Sequence, residues 1–195
     1  MVIVAHRRNR IAELTATPVG YGVEVDIRSR GRDLIATHDA FTDGERFEDW
    51  LAAYCHALLI LNVKEEGLEE RLLTLMAERG IERFFFLDQS FPFLIRTAAR
   101  GERRCAVRVS EYEACATALR VAPLIDWAWI DCFTRFPLSD VEARTLKAAG
   151  LRLCLVSPEL HGRPAETGIA EMRRELSAKA ISFDAVCTKR PDLWT

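Results

Sequence analysis

Residues 2–9 read Val-Ile-Val-Ala-His-Arg-Arg-Asn, four apolar residues that stop abruptly in a histidine and two arginines. The run is short for a helix, and its β-branched content suits a buried strand. The same event recurs along the chain. Further apolar runs cover residues 23–27, 58–63, 83–87, 105–109, 127–132, 151–156 and 183–187, which makes eight with the first. Between them, residues 47–57, 68–78, 93–99, 113–121, 140–149 and 169–178 carry apolar side chains at helical spacing with charges opposite. Ser139-Asp140 offers a helix N-cap, and Gly80 and Gly150 stand where a left-handed residue closes a helix. Short strands alternating with helical segments predict repeated βα units around a parallel sheet.

Eight strands with their crossovers suit a compact, closed (β/α)8 barrel, one domain over residues 1–195. Barrels of this kind typically run to about 250 residues, so this chain must be pared down. Residues 9–18 are expected to replace the first outer helix with a short irregular stretch, and residues 34–40 to form an extended excursion after the second strand. An open doubly wound sheet is the alternative architecture. No linker, low-complexity tract or repeat marks a domain boundary.

With 49% hydrophobic and 29% charged residues, the composition is that of a globular protein with one large core. A net charge of −2 gives no field that would draw the chain to nucleic acid or an anionic membrane, so an anion must be held locally. The apolar opening is too short to span a bilayer, and its arginines follow it, the reverse of a secretory signal. Six cysteines lie scattered singly, without zinc or disulfide spacing. Reduced, mostly buried thiols in a cytoplasmic protein are the expectation.

In a barrel of this type, polar residues that end strands converge on one rim. The first strand ends in His6-Arg7, the second carries Glu24 and Asp26, the excursion carries His38-Asp39, and the third ends in Asn62 and Lys64. Asp88 ends the fourth, Arg108 and Glu111 belong to the fifth, Asp131 to the sixth and Lys189 to the last. Glu24 and Asp26 stand two residues apart on a strand, so their side chains share a face, as a common cation requires. Left unpaired in an apolar run they would be costly. His6 and His38 are two of only four histidines, each beside Arg or Asp, and imidazole titrates near neutrality. The polar stretch 157–164 adds Glu159, His161 and Arg163 as specificity candidates. Phe84-Phe85-Phe86, Trp127 and Trp129 read as core, and His56 as part of a helix.

Taken in order, VIVAHRRN (2–9), GVEVDIRS (22–29), LIATHDAF (34–41), ILNVKEE (60–66) and FDAVCTKRPDLW (183–194) resemble the signature of glycerophosphodiester phosphodiesterases. The related phosphatidylinositol phospholipases C and spider-venom phospholipases D share it. The resemblance covers the whole chain and implies a barrel hydrolase acting on a small phosphodiester. It matches Glu24, Asp26 and Asn62 to the ligands of a divalent cation, Mg2+ or Ca2+, and His6 and His38 to the general acid and base. Arg7 and Lys64 match the cations that hold the phosphate oxygens. The chain departs from the family at three positions: Asn62 stands for a carboxylate, Arg8 for a glycine, and Lys189 for a frequent Asp. Arg8 would bring a second cation to the phosphate, and Asp88 or Asn9 would supplement the metal shell. The long insertion many members carry before the third-strand motif is missing, which leaves the site more open. Which histidine is the acid stays open, as does the oligomeric state. Two other readings stand beside this one: a barrel that binds phosphate without turnover, and an aldolase-like barrel with Lys64 as a Schiff base.

Overall fold

The computed structural model describes residues 1–195. Eight parallel strands form a curled sheet: β1 (Val2–Ala5), β2 (Gly22–Arg30), β5 (Leu59–Val63), β6 (Phe84–Leu87), β7 (Ala106–Val109), β8 (Trp127–Ile130), β9 (Arg152–Val156) and β10 (Ala185–Thr188). They follow one another around the sheet in chain order, with β10 returning to pair with β1. No switch point interrupts that order, which rules out the open doubly wound alternative. The expected closed barrel is only partly realised. Parallel ladders join neighbours everywhere except between β6 and β7, which touch through the single bridge Phe86–Cys105.

The excursion after the second strand is a hairpin. β2 runs on to Arg30, Gly31 takes a left-handed φ of 63°, and β3 (Asp33–Ala36) returns antiparallel before the short β4 (Glu45–Arg46). Residues 9–18 are not wholly irregular, since α1 (Ile11–Thr15) forms one helical turn there. The remaining helices are α2 (Phe47–Ala52), α3 (Glu69–Glu78), α4 (Phe91–Ala99), α5 (Cys115–Val121), α6 (Asp140–Ala148) and α7 (Ala165–Ala178). Ser139 caps α6 in a capping box with Glu142, and Gly80 and Gly150 adopt the left-handed conformation expected of them. The helix expected over 47–57 stops at Ala52. His56 therefore lies outside it, buried, with its Nε2 2.9 Å from the Thr17 carbonyl.

Two cores follow from strand alternation. Inward-facing Val4, Ile60, Phe85, Trp127, Trp129 and Cys154 belong to the smaller cluster, enclosed by the sheet. Outward-facing Val23, Val25, Phe84, Phe86 and Val107 pack under the helices in the larger one. Gly22 lies where β1, β2 and Leu58 converge, and a Cβ there would come within 2.9 Å of Val4. The apolar inner face leaves the strand ends as the one place where inward side chains turn polar.

Candidate active site

β2 and β5 pair in register, with Asp26 opposite Asn62, so Glu24, Asp26 and Asn62 point to the same inner face. Glu24 is 0% and Asp26 1% exposed. Burying two carboxylates side by side demands donors, and the protein supplies them. Glu24 accepts from the Arg7 backbone N–H at 2.7 Å and from Asn62 Nδ2 at 2.8 Å. Asp26 accepts from Asn9 Nδ2 at 2.8 Å, while its own N–H donates to Asn9 Oδ1 at 2.9 Å. Arg7 Nε lies 3.4 Å from Asp26 Oδ2, and Lys64 Nζ lies 3.2 Å from Asp26 Oδ1. Arg7, whose backbone N–H meets Glu24, has a left-handed φ of 53°, a strained choice for a non-glycine residue.

His6 Nε2 is 3.8 Å from Glu24 Oε2, and its buried Nδ1 has no partner. Burial, then the positive charge of Arg7, lower its pKa to about 3 against a weaker upward pull from Asp26, so the imidazole is neutral. The charges of Lys189 and Lys64 add to the lowering. Burial, then the neighbouring Asp26, raise the pKa of Glu24.

Six residues picked out in the sequence, His6, Arg7, Glu24, Asp26, Asn62 and Lys64, thus form one cluster. His38 stands apart from it. It is part-exposed on the loop after β3, its Nδ1 2.7 Å from Asp39 Oδ1, and it makes no hydrogen bond to any of the six. Two features tie that loop to the cluster: the Thr37 N–H donates to the Asp26 carbonyl at 3.0 Å, and the charge of Arg7 contributes to lowering the pKa of Asp39.

The rest of the rim is a chain of alternating charge. Lys64 Nζ is 3.3 Å from Asp88 Oδ2, Arg108 pairs with both Asp88 and Asp131, and Asp131 meets His161 Nε2. Asp88 is therefore tied into the ion-pair chain and not into the Glu24–Asp26 shell. Asn9 holds Asp26 through its amide. Glu159 accepts from Thr188 Oγ1 at 2.6 Å and from the Lys189 N–H at 2.9 Å, bracing the end of β10. Thr188, buried and bonded to Glu159, escaped the sequence reading; its place beside Lys189 in the last-strand motif was the available signal.

Three expectations are corrected. Arg8 does not face the phosphate region: its Nε donates to Thr17 Oγ1 at 3.1 Å, and its carbonyl accepts from Trp50 Nε1 at 2.7 Å. Glu111 is a loop cap, accepting from the N–H groups of Phe133, Thr134 and Arg135. Arg163 is occupied with the Thr134 carbonyl.

Two solved structures share this architecture. A glycerophosphodiester phosphodiesterase from Agrobacterium tumefaciens superposes with a TM-score of 0.64 at 15% identity, covering 99% of this chain and 97% of its own. The chain has the glycerophosphodiester phosphodiesterase fold. A glycerophosphoryl diester phosphodiesterase from Parabacteroides distasonis gives a TM-score of 0.67 at 13% identity, with 98% and 84% coverage. No protein-family model matches the sequence, and no curated protein matches it. No helix of the chain is long and apolar enough to cross a membrane.

Within the glycerophosphodiesterase fold, the fit of a divalent cation rests on orphaned oxygens. Asn62 Oδ1 is a buried acceptor without a partner, and Asp26 Oδ1, on its register partner of the same face, makes no hydrogen bond but faces Lys64 Nζ at 3.2 Å. Oxygen donors of this kind suit a hard cation. No group of three or more Asp, Glu, His or Cys that could hold a metal converges in the chain. A cation here would rest on two carboxylates and one amide oxygen.

Proposed function

We propose that this chain hydrolyses a phosphodiester bond of a glycerophosphodiester-like substrate, at the rim of a pared-down (β/α)8 barrel of the glycerophosphodiester phosphodiesterase type. One observation carries the reading: a buried Glu24–Asp26–Asn62 face flanked by His6, Arg7 and Lys64, on a fold shared with two such enzymes. Glu24, Asp26 and Asn62 would hold Mg2+ or Ca2+, which when bound offsets phosphate charge and makes an attacking oxygen more acidic. Arg7 and Lys64 bind the non-bridging oxygens and offset charge that builds in the transition state. His6, neutral at working pH, takes the proton from the attacking hydroxyl or water. His38, backed by Asp39 at 2.7 Å, carries a proton to the leaving alkoxide. Where the substrate bears a hydroxyl beside the phosphate, attack is internal and a cyclic product forms first. The protein would act in the cytoplasm.

A second reading has its own observation. Asn62 donates to Glu24 where the resemblance calls for a third carboxylate. A barrel that binds a phosphate ester without turning it over would follow. Titrating Mg2+, Mn2+ and Ca2+ while following both binding and hydrolysis of glycerophosphodiesters separates the two: hydrolysis that needs the cation supports the enzyme, and binding without hydrolysis supports the module. The Schiff-base alternative loses ground, because Lys64 lies between the carboxylates of Asp26 and Asp88 and not in the apolar surroundings such a lysine needs.

A further inference from the structure

The weak seam between β6 and β7 opens onto a second cavity at the rim, outside the cluster. The strands meet only at the Phe86–Cys105 bridge and part beyond it, where Asp88 follows β6 with a left-handed φ of 59°. A cavity of about 650 Å3 fills the gap. Leu87 and Ala106, of the inner core, and Leu94 and Val107, of the outer one, all line it. Phe91, 48% exposed, and Tyr112, 78% exposed, stand at its mouth. Seven of its twelve lining residues are apolar, with Asp88, Gln89, Arg108, Glu113 and Thr117 making up the rest, and the volume falls in the range of small-molecule sites.

The cavity connects with the cluster through one ion pair. Asp88 and Arg108 line it and bridge it at the rim, and Asp88 lies 3.3 Å from Lys64. The opposite flank differs in kind: the cavity of about 430 Å3 beside Arg7 is lined by Asn9, Arg10, Glu13, Thr37, Asp43 and Glu45, with Ala36 its one apolar residue. An apolar ester group has a place on the Arg108 side and none on the Arg7 side.

We infer that the β6–β7 cleft is a subsite for an apolar ester group, so that the substrate class is an asymmetric phosphodiester whose one alcohol is apolar. This rests on the phosphodiesterase reading for its chemistry, but the subsite can be tested by binding alone. Calorimetry with methyl phosphate and n-hexyl phosphate, the latter below its aggregation concentration, reads the cleft directly. Each buried methylene contributes up to about fourfold in affinity. The hexyl ester is expected to bind at least about tenfold tighter than the methyl ester. Thr117→Trp and Ala114→Trp, both at exposed positions of the lining where a bulky side chain does not disturb the core, should each bring that ratio close to one. Equal affinity for the two esters overturns the subsite even if glycerophosphodiesters are hydrolysed, as does a hexyl preference that survives both substitutions. A hexyl preference abolished by the substitutions, in a protein that hydrolyses nothing, leaves the subsite standing and removes the enzymatic reading. Binding of neither ester overturns the subsite and leaves the phosphodiesterase reading to the hydrolysis assay.

Discussion

Asn62 reaches from β5 to β2 and donates through Nδ2 to Glu24 Oε1 at 2.8 Å. That bond places a neutral donor against a buried carboxylate whose neighbour, Asp26, is also buried. Asn62→Asp replaces the donor with a third charge. Without metal it should destabilise the fold by about 2 to 4 kcal/mol, the cost of an uncompensated buried charge. Bound Mg2+ or Ca2+ should restore much of the loss, since a cation on three carboxylates stabilises the folded state by mass action. Thermal unfolding with and without cation checks this: the metal-dependent rise in Tm should be larger in the variant than in the wild type, and a rise no larger contradicts the assigned ligand face.

Arg108 pairs with the 2%-exposed Asp131, which also meets His161 Nε2, and it spans the seam to Asp88. Arg108→Ala should therefore cost about 3 kcal/mol in urea unfolding, because it leaves the buried Asp131 with only His161 and the Cys132 N–H and breaks the tie to Asp88. Arg108→Lys should recover little of this, since a single ammonium cannot reach both partners with the geometry of the guanidinium fork.

Glu111 offers a pH test away from the cluster. Burial raises its pKa, but the N–H groups of Arg135 and Thr134 outweigh that, and the net value falls from 4.5 to about 2. A carboxylate depressed on folding contributes stability that is complete above its unfolded pKa and is lost as pH falls through the folded one. The stabilisation should thus be intact above about pH 4.5 and fade between there and about pH 2. Glu111→Gln should be less stable at neutral pH by about 1 kcal/mol, as expected for lost charge-assisted hydrogen bonds at a part-exposed site. The gap to wild type should narrow on acidification, measured by unfolding at a series of pH values.

Much of the fold is legible in the sequence because a buried parallel strand writes itself as a short apolar run. Val2–Ala5 emerges with its expected limits, six of the other runs shift by two residues or fewer at their ends, and β2 runs three residues further, to Arg30, before the turn at Gly31. Less legible is what tertiary contact decides. Trp50 and Tyr54 stack at the end of α2, which stops at Ala52, and the chain then turns to bring His56 onto the Thr17 carbonyl; no local signal announces it. The single bridge at β6–β7 depends on how two distant strands meet. At the site, the Glu24-x-Asp26 and Asn62-x-Lys64 spacings declare a shared face, since alternation along a strand fixes it. Pairings across strands do not. Arg8 and Arg7 are adjacent in sequence, yet only the left-handed turn at Arg7 decides that one faces Asp26 and the other Thr17. Glu111 looked like a rim acid until the loop after β8 supplied its donors.

The most direct test of the central claim follows the phosphorus. In 31P NMR, a glycerophosphodiester incubated with the purified protein and Mg2+, Mn2+ or Ca2+ should lose its diester resonance and give a monoester or cyclic phosphate. His6→Ala should slow that conversion by about 10²- to 10⁴-fold, the usual worth of a proton-transfer group. An unchanged diester signal with every cation, or a rate that His6→Ala leaves intact, contradicts the account.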